Sequence, residues 1–89
     1  MTTAAQSVWT ITAVAADGEE ARIQESPHSL LNHLLGRAVR RLYGEHATAA
    51  DYELLISGIV QTNLQLSLEQ AGLHDDAEVI VQPKNVSRG

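Results

Sequence analysis

The chain has 89 residues, 44% of them hydrophobic and 19% charged, with a formal net charge of −5. Such a length suits one domain, and the composition is that of a globular chain rather than a disordered one. The acidic balance leaves no basic stripe to displace counterions, so no nucleic acid partner is expected, and the absence of cysteine excludes disulfides, thiolate metal sites and thiol nucleophiles together.

Residues 1–6 read as a loose polar leader without an apolar export core. From Ser7 to Ala15 the chain is rich in β-branched residues and alternates in character. Trp9, Ile11 and Ala13 fall on one face of the strand this predicts, and Val8, Thr10 and Thr12 on the other. Asp17-Gly18 signals a hairpin, because glycine takes positive φ without steric cost. A second strand is expected from Glu20 to Glu25, with Ala21 and Ile23 facing the core.

Ser26-Pro27 has the form of a helix start, serine as N-cap and proline at the first helical position. Leu30, Leu34, Ala38 and Leu42 then recur every four residues beside Leu31, Leu35 and Val39. This predicts an amphipathic helix of three to four turns, ended by Gly44. Gly36 inside it costs about 1 kcal/mol relative to alanine, which close approach of the helix to the sheet would explain. Arg37, Arg40 and Arg41 read as a solvated helix face near a C-terminus, where cations suit the dipole.

Tyr52 to Ile56 is a third strand, with Tyr52, Leu54 and Ile56 on one face. Ser57-Gly58 is a turn, and Ile59-Val60-Gln61 a very short strand. Leu66 to Leu73 is a loop with one helical turn, closed by Gly72. Glu78 to Gln82 is the last strand, with Val79 and Val81 inward, and Pro83 ends it. A polar tail follows over 84–89. The only aromatic residues are Trp9, Tyr43 and Tyr52, so the core is aliphatic. A hairpin packing one helix and completed by later strands gives an α+β sheet with one covered face, its first and last strands parallel at the centre. One domain over 7–83 is expected.

The order and spacing, from about Val8 to Gly89, resemble ubiquitin and its relatives. Three stretches carry the resemblance: Leu54-Leu55-Ile56-Ser57-Gly58, Leu66 to Leu73, and Asp75-Asp76-Ala77-Glu78-Val79-Ile80-Val81. The wording of the latter two is similar to bacterial ubiquitin-like domains, YukD-like members among them. The resemblance implies a β-grasp fold of four to five mixed strands on one helix. It also implies a protein modifier attached to targets through the carboxylate of Gly89, with Arg88 as the tail contact to an activating enzyme. The implied partners are E1-like and E2-like enzymes, a processing peptidase and target proteins. Conjugated relatives end in paired glycines, which lack a Cβ and thread a narrow channel; here Val86-Ser87-Arg88-Gly89 carries one glycine. A non-covalent adaptor of the YukD-like kind and a sulfur carrier are the alternative readings. The single lysine, Lys84, equips the chain poorly for branched polymers.

Alternation along the strands puts Leu55 and Ile80 outward, side by side on the open face if the third and last strands are neighbours. Val8 or Thr10 of the first strand is expected to join them. An adjacent apolar pair hints at a partner patch, against the alternative of plain surface residues. His28, His33, His46 and His74 lack metal-ligand spacing, Asp75-Asp76 reads as a turn, and no serine sits in a nucleophile elbow. No enzyme, metal or cofactor is expected. No apolar run reaches the ~20 residues that span a bilayer. A cytoplasmic protein with no membrane partner, monomeric when free, is the resulting expectation.

Overall fold

In the first strand Ile11, Ala13 and Ala15 are buried while the residues between them are half-exposed, the period-two signature of a sheet with one covered face. The computed structural model describes residues 8–84. The expected leader over 1–6 and the tail residues Arg88 and Gly89 lie outside the described residues. The elements are β1 (Trp9–Ala15), β2 (Glu20–Glu25), α1 (Leu31–Tyr43), a short 3-10 helix (Ala49–Asp51), β3 (Tyr52–Ile56), β4 (Ile59–Val60) and β5 (Glu78–Pro83). They form one sheet in the order β2-β1-β5-β3-β4. β1 and β5 pair in parallel near its middle, and the other pairings are antiparallel.

Two turns set the hairpin registers. Between β1 and β2, Gly18 sits at φ 94° and its N–H donates to the Ala15 carbonyl at 2.9 Å, closing a three-residue loop. The Asp17 carboxylate accepts from the Glu19 N–H at 2.9 Å. Between β3 and β4, Ser57 and Gly58 both take positive φ, 53° and 79°. That is the two-residue primed turn whose twist matches the strands it joins.

The helix starts four residues later than Ser26-Pro27 implies, with Leu30 as N-cap. Ser26 instead anchors a turn: its carbonyl accepts from the Ser29 N–H at 3.0 Å and its hydroxyl from the His28 N–H at 3.0 Å. The reason is tertiary. The first helical amides, normally orphaned, are satisfied by the distant loop: Leu31 N–H donates to Leu66 O at 2.8 Å and Asn32 N–H to Leu64 O at 2.9 Å. Leu30, expected on the apolar stripe, is exposed and bridges to Ser67. That loop carries a reciprocal cap of its own, Gln70 N–H to Ser67 Oγ at 3.1 Å and Ser67 N–H to Gln70 Oε1 at 3.0 Å.

Leu31, Leu34, Leu35, Ala38 and Val39 of α1 pack onto the inner sheet residues Ile11, Ile23, Leu54, Val79 and Val81. Leu68 and Leu73 close one side of this core. At the helix end, the Tyr43 hydroxyl donates to Val81 O at 2.7 Å and accepts from the Ala16 N–H at 3.2 Å. One hydroxyl thus ties α1 to the first hairpin and to β5. Gly44, at φ 110°, ends the helix and donates to Arg40 O.

Gly36 does not serve close approach to the sheet. A Cβ built there would meet nothing nearer than Arg40 Nη1 at 4.0 Å. With open space and helical backbone, Gly36→Ala is expected to stabilise the fold by about 0.5–1 kcal/mol, read as a raised urea midpoint at unchanged slope.

Glu25 is the one buried polar or charged side chain among the described residues, 5% exposed. Arg37 Nη1 lies 2.6 Å from Glu25 Oε2 and also donates to Gln24 O at 2.9 Å, while His33 Nε2 stands 3.6 Å from the same carboxylate oxygen. Arg37→Met strands the carboxylate and should cost roughly 2–4 kcal/mol by urea denaturation at neutral pH. Adding Glu25→Met should recover most of that loss, since a missing pair is cheaper than an unpaired buried charge.

Candidate protein-binding face

The helix covers one side of the sheet and leaves the other open. Side chains on that open side follow from register. Ile80 of β5 pairs with Leu55 of β3 on one flank and with Val14 of β1 on the other. Leu55 pairs in turn with Val60 of β4. Paired residues direct their side chains to the same face, so Val14, Ile80, Leu55 and Val60 form one apolar row across four strands. Ile80 is 36% exposed and Val60 42%; Val14 and Leu55 are half-buried.

The row has polar margins. Beyond it toward the end of β5, Gln82 Nε2 donates to Glu53 Oε2 at 2.7 Å. On the other side run Arg22, Thr12 and Glu78, aligned by the same pairings. Glu20 lies opposite Val14 at the β2 edge. At its β4 end the row meets an open cleft of about 400 Å³, lined in part by Val60, Leu64, Tyr52, Leu35 and Lys84. An apolar centre with a polar rim is the usual anatomy of a protein-binding patch.

The structure therefore brings Leu55 and Ile80 together and leaves Val8 out. Val8 is 55% exposed, but it precedes Val14 by six residues, about 20 Å of extended chain. The parallel register of β1 against β5 decides this, and a parallel register is not written in either strand alone. Thr10 is likewise displaced: its N–H donates to Asp75 Oδ1 at 2.8 Å and its carbonyl accepts from the Asp76 N–H at 2.9 Å. The Asp75-Asp76 turn thus also holds the entry of β1. Val14 is the residue sequence reasoning missed. The alternation that turned Thr10 and Thr12 outward already pointed to it.

Gly89 and Arg88 lie outside the described residues, the last of which is Lys84. Lys84, at the end of β5, is exposed, and its N–H donates to Asp51 O at 2.9 Å. Among the described residues no group of three or more His, Cys, Asp or Glu is arranged to hold a metal ion. Among the described residues, too, no helix is long and apolar enough to cross a membrane.

No protein-family model and no curated protein sequence matches the chain. Solved structures do. A ubiquitin from Caldiarchaeum subterraneum superposes with a TM-score of 0.76 at 14% identity, covering 92% of this chain and 100% of that one. The UBL domain of Plasmodium falciparum Dsk2 gives 0.75 at 13% identity, covering 88% and 100%. The ubiquitin-like domain of an Arabidopsis thaliana protein gives 0.76 at 17% identity, covering 98% and 88%. With a five-stranded mixed sheet laid over one helix and this set of structural neighbours, the chain has the ubiquitin-like β-grasp fold.

Proposed function

We propose that this chain is a ubiquitin-like module that acts by binding other proteins through its open sheet face, with Leu55 and Ile80 at the centre of the contact. The supporting observation is the continuous row Val14, Ile80, Leu55, Val60, an apolar strip on the sheet face away from the helix, with Ile80 and Val60 exposed among the described residues. A core of aliphatic residues ringed by Glu53, Gln82, Thr12 and Glu20 suits a partner with its own apolar centre. A photo-crosslinking residue placed at Ile80 or Leu55 in the producing cell should yield the same discrete protein adduct, and one at Val8 should not. Leu55→Asp should abolish that adduct at Ile80 while circular dichroism stays native. Equal adducts from all three positions would remove this face from consideration.

Conjugation is the second reading. In it Gly89 is adenylated by an E1-like enzyme, passed on by an E2-like enzyme and joined to a target, after a peptidase has exposed it. Its motivation is the Arg88-Gly89 sequence and the exposed position of Lys84 at the end of the last strand. The structural neighbours include both a ubiquitin and a domain of another protein, so they are compatible with either use. With its cognate activating enzyme, the intact chain should support ATP–pyrophosphate exchange and a Gly89 deletion should not. Exchange that survives the deletion would leave the non-covalent reading alone. A sulfur carrier would instead show a C-terminal thiocarboxylate by mass.

A further inference from the structure

The cations of this acidic chain are unevenly placed. Arg37, Arg40 and Arg41 lie on α1, and the fold adds Arg22 from β2, so four of the six Lys and Arg residues gather at one edge. A run of helix arginines alone is a solvated surface. Here sheet residues join them around a shared hollow. Arg22, Arg37 and Arg41, with Thr10 and Gln24, line an open cavity of about 310 Å³ at the β2 edge. Every one of these side chains can donate a hydrogen bond, and none is anionic. A smaller hollow of about 190 Å³ adjoins it, lined by Arg37, Arg40, Arg41 and Glu45.

Backbone groups add to this. Alternate residues of an edge strand turn their amides away from the sheet. Ala15 N–H bonds toward β2, whereas Thr10 and Thr12 bond toward the 75–77 segment, so Ile11 and Ala13 face β2. Their partners Ile23 and Ala21 face inward, and the amides of Arg22 and Gln24 face the outer edge. Arg37 already donates to Gln24 O there.

The charge at this cavity can be counted. Arg37 is balanced by Glu25 at 2.6 Å, a pairing that also fixes its guanidinium in place. Arg22 and Arg41 make no ion pair among the described residues. Two unbalanced guanidiniums therefore meet in one small polar hollow. Separate carboxylates would need separate seats, whereas a single dianion answers both forks at once, and guanidinium matches phosphate oxygens in bidentate fashion.

We propose that the cavity at the β2 edge, where Arg37 and Arg41 of α1 line it together with Arg22, Gln24 and Thr10 of the sheet, is a phosphate-binding site. Arg22 and Arg41 bind the oxygens of a phosphate dianion, and the Thr10 hydroxyl and the free N–H groups of Arg37 complete the seat. The phosphate is that of a free phosphate or of a phosphorylated side chain on a partner.

The test uses the full chain, labelled with 15N, titrated at constant ionic strength with inorganic phosphate and separately with a phosphoserine peptide and its unphosphorylated form. Saturable shifts are expected at the amides of Arg22, Gln24 and Arg41. Arg22→Gln and Arg41→Gln should each weaken binding by about tenfold, while Lys84→Gln leaves it unchanged. Arg37 is left intact because it neutralises a buried carboxylate, and thermal melts of the two variants confirm that they fold. If the phosphopeptide binds more tightly than both phosphate and its unphosphorylated form, the ligand is a phosphorylated partner; if inorganic phosphate binds as tightly, it is the free ion. Both results uphold the site. Absence of saturation by about 20 mM of both phosphate and the phosphopeptide, equal binding of the unphosphorylated peptide, or equal weakening by Lys84→Gln overturns it.

Discussion

The fold depends on burying one helical stripe. Leu31, Leu34, Leu35, Ala38 and Val39 are each at most 1% exposed, as are the sheet residues Ile11, Ile23, Leu54, Val79 and Val81 beneath them. A chain of this size buries only about 60–65% of its unfolded surface, so this contact supplies most of the apolar burial available. Parallel pairing of β1 with β5 is the consequence. Parallel strands need a long crossover, and the helix, β3 and β4 lie between them in sequence. The Tyr43 hydroxyl pins the result, because Val81 O and Ala16 N–H reach it from β5 and the first hairpin. Remove the stripe, and the register that aligns Val14 with Ile80 loses its main apolar support.

Covering one face necessarily uncovers the other. A single 13-residue helix has too little apolar surface for both sides of five strands, and antiparallel or mixed sheets tolerate one wet face. On this wet face most outward positions are polar: Thr10, Thr12, Arg22, Gln24, Glu53, Glu78 and Gln82. The four residues of the central row break that rule. Solubility alone would favour polar groups there, so their clustering at one register level, rather than their exposure singly, is what carries weight. Ile59, at 65% exposed, belongs to the other side of β4, where the strand overhangs the core. It does not extend the row.

Much of this was legible in the sequence. Period-two alternation identified the strands and their inward residues, and the period-four leucines identified the helix. What was not legible shares one physical character, dependence on contacts between segments distant in the chain. The helix start is an example. Ser26-Pro27 carries every local sign of an N-terminus, yet the carbonyls of Leu64 and Leu66 cap the helix at Leu31 and Asn32 instead. The site follows the same logic. Leu55 and Ile80 could be turned outward by alternation, but Val14 could replace Val8 only once the parallel register was known. Gly36 misled for another reason: a glycine in a helix suggests a neighbour, and here there is open space. Glu25 could have been noticed, since it continues the inward series Ala21, Ile23, and an inward carboxylate at a strand end asks for a cation.

The dimensions of the open face limit how it can be used. Four strands spaced about 4.8 Å apart make the row only some 15 Å long and one side chain wide, too narrow a strip to supply by itself the roughly 800 Å² per partner of a stable interface. A protein centred on Ile80 and Leu55 must therefore also cover the rim, where Glu53 is already bonded to Gln82 and Glu20 closes the β2 end. Those groups are satisfied within the fold or remain in water. They set orientation and exclude badly placed acidic partners more than they add affinity. The arginine edge lies past Thr12 and Arg22 on the same sheet, with charge of the opposite sign. A partner that spans both regions thus meets an apolar centre, the bonded Glu53–Gln82 pair on one side and a cationic hollow on the other. Such polarity admits one orientation and disfavours its reverse, which is how a small face can be selective without being large.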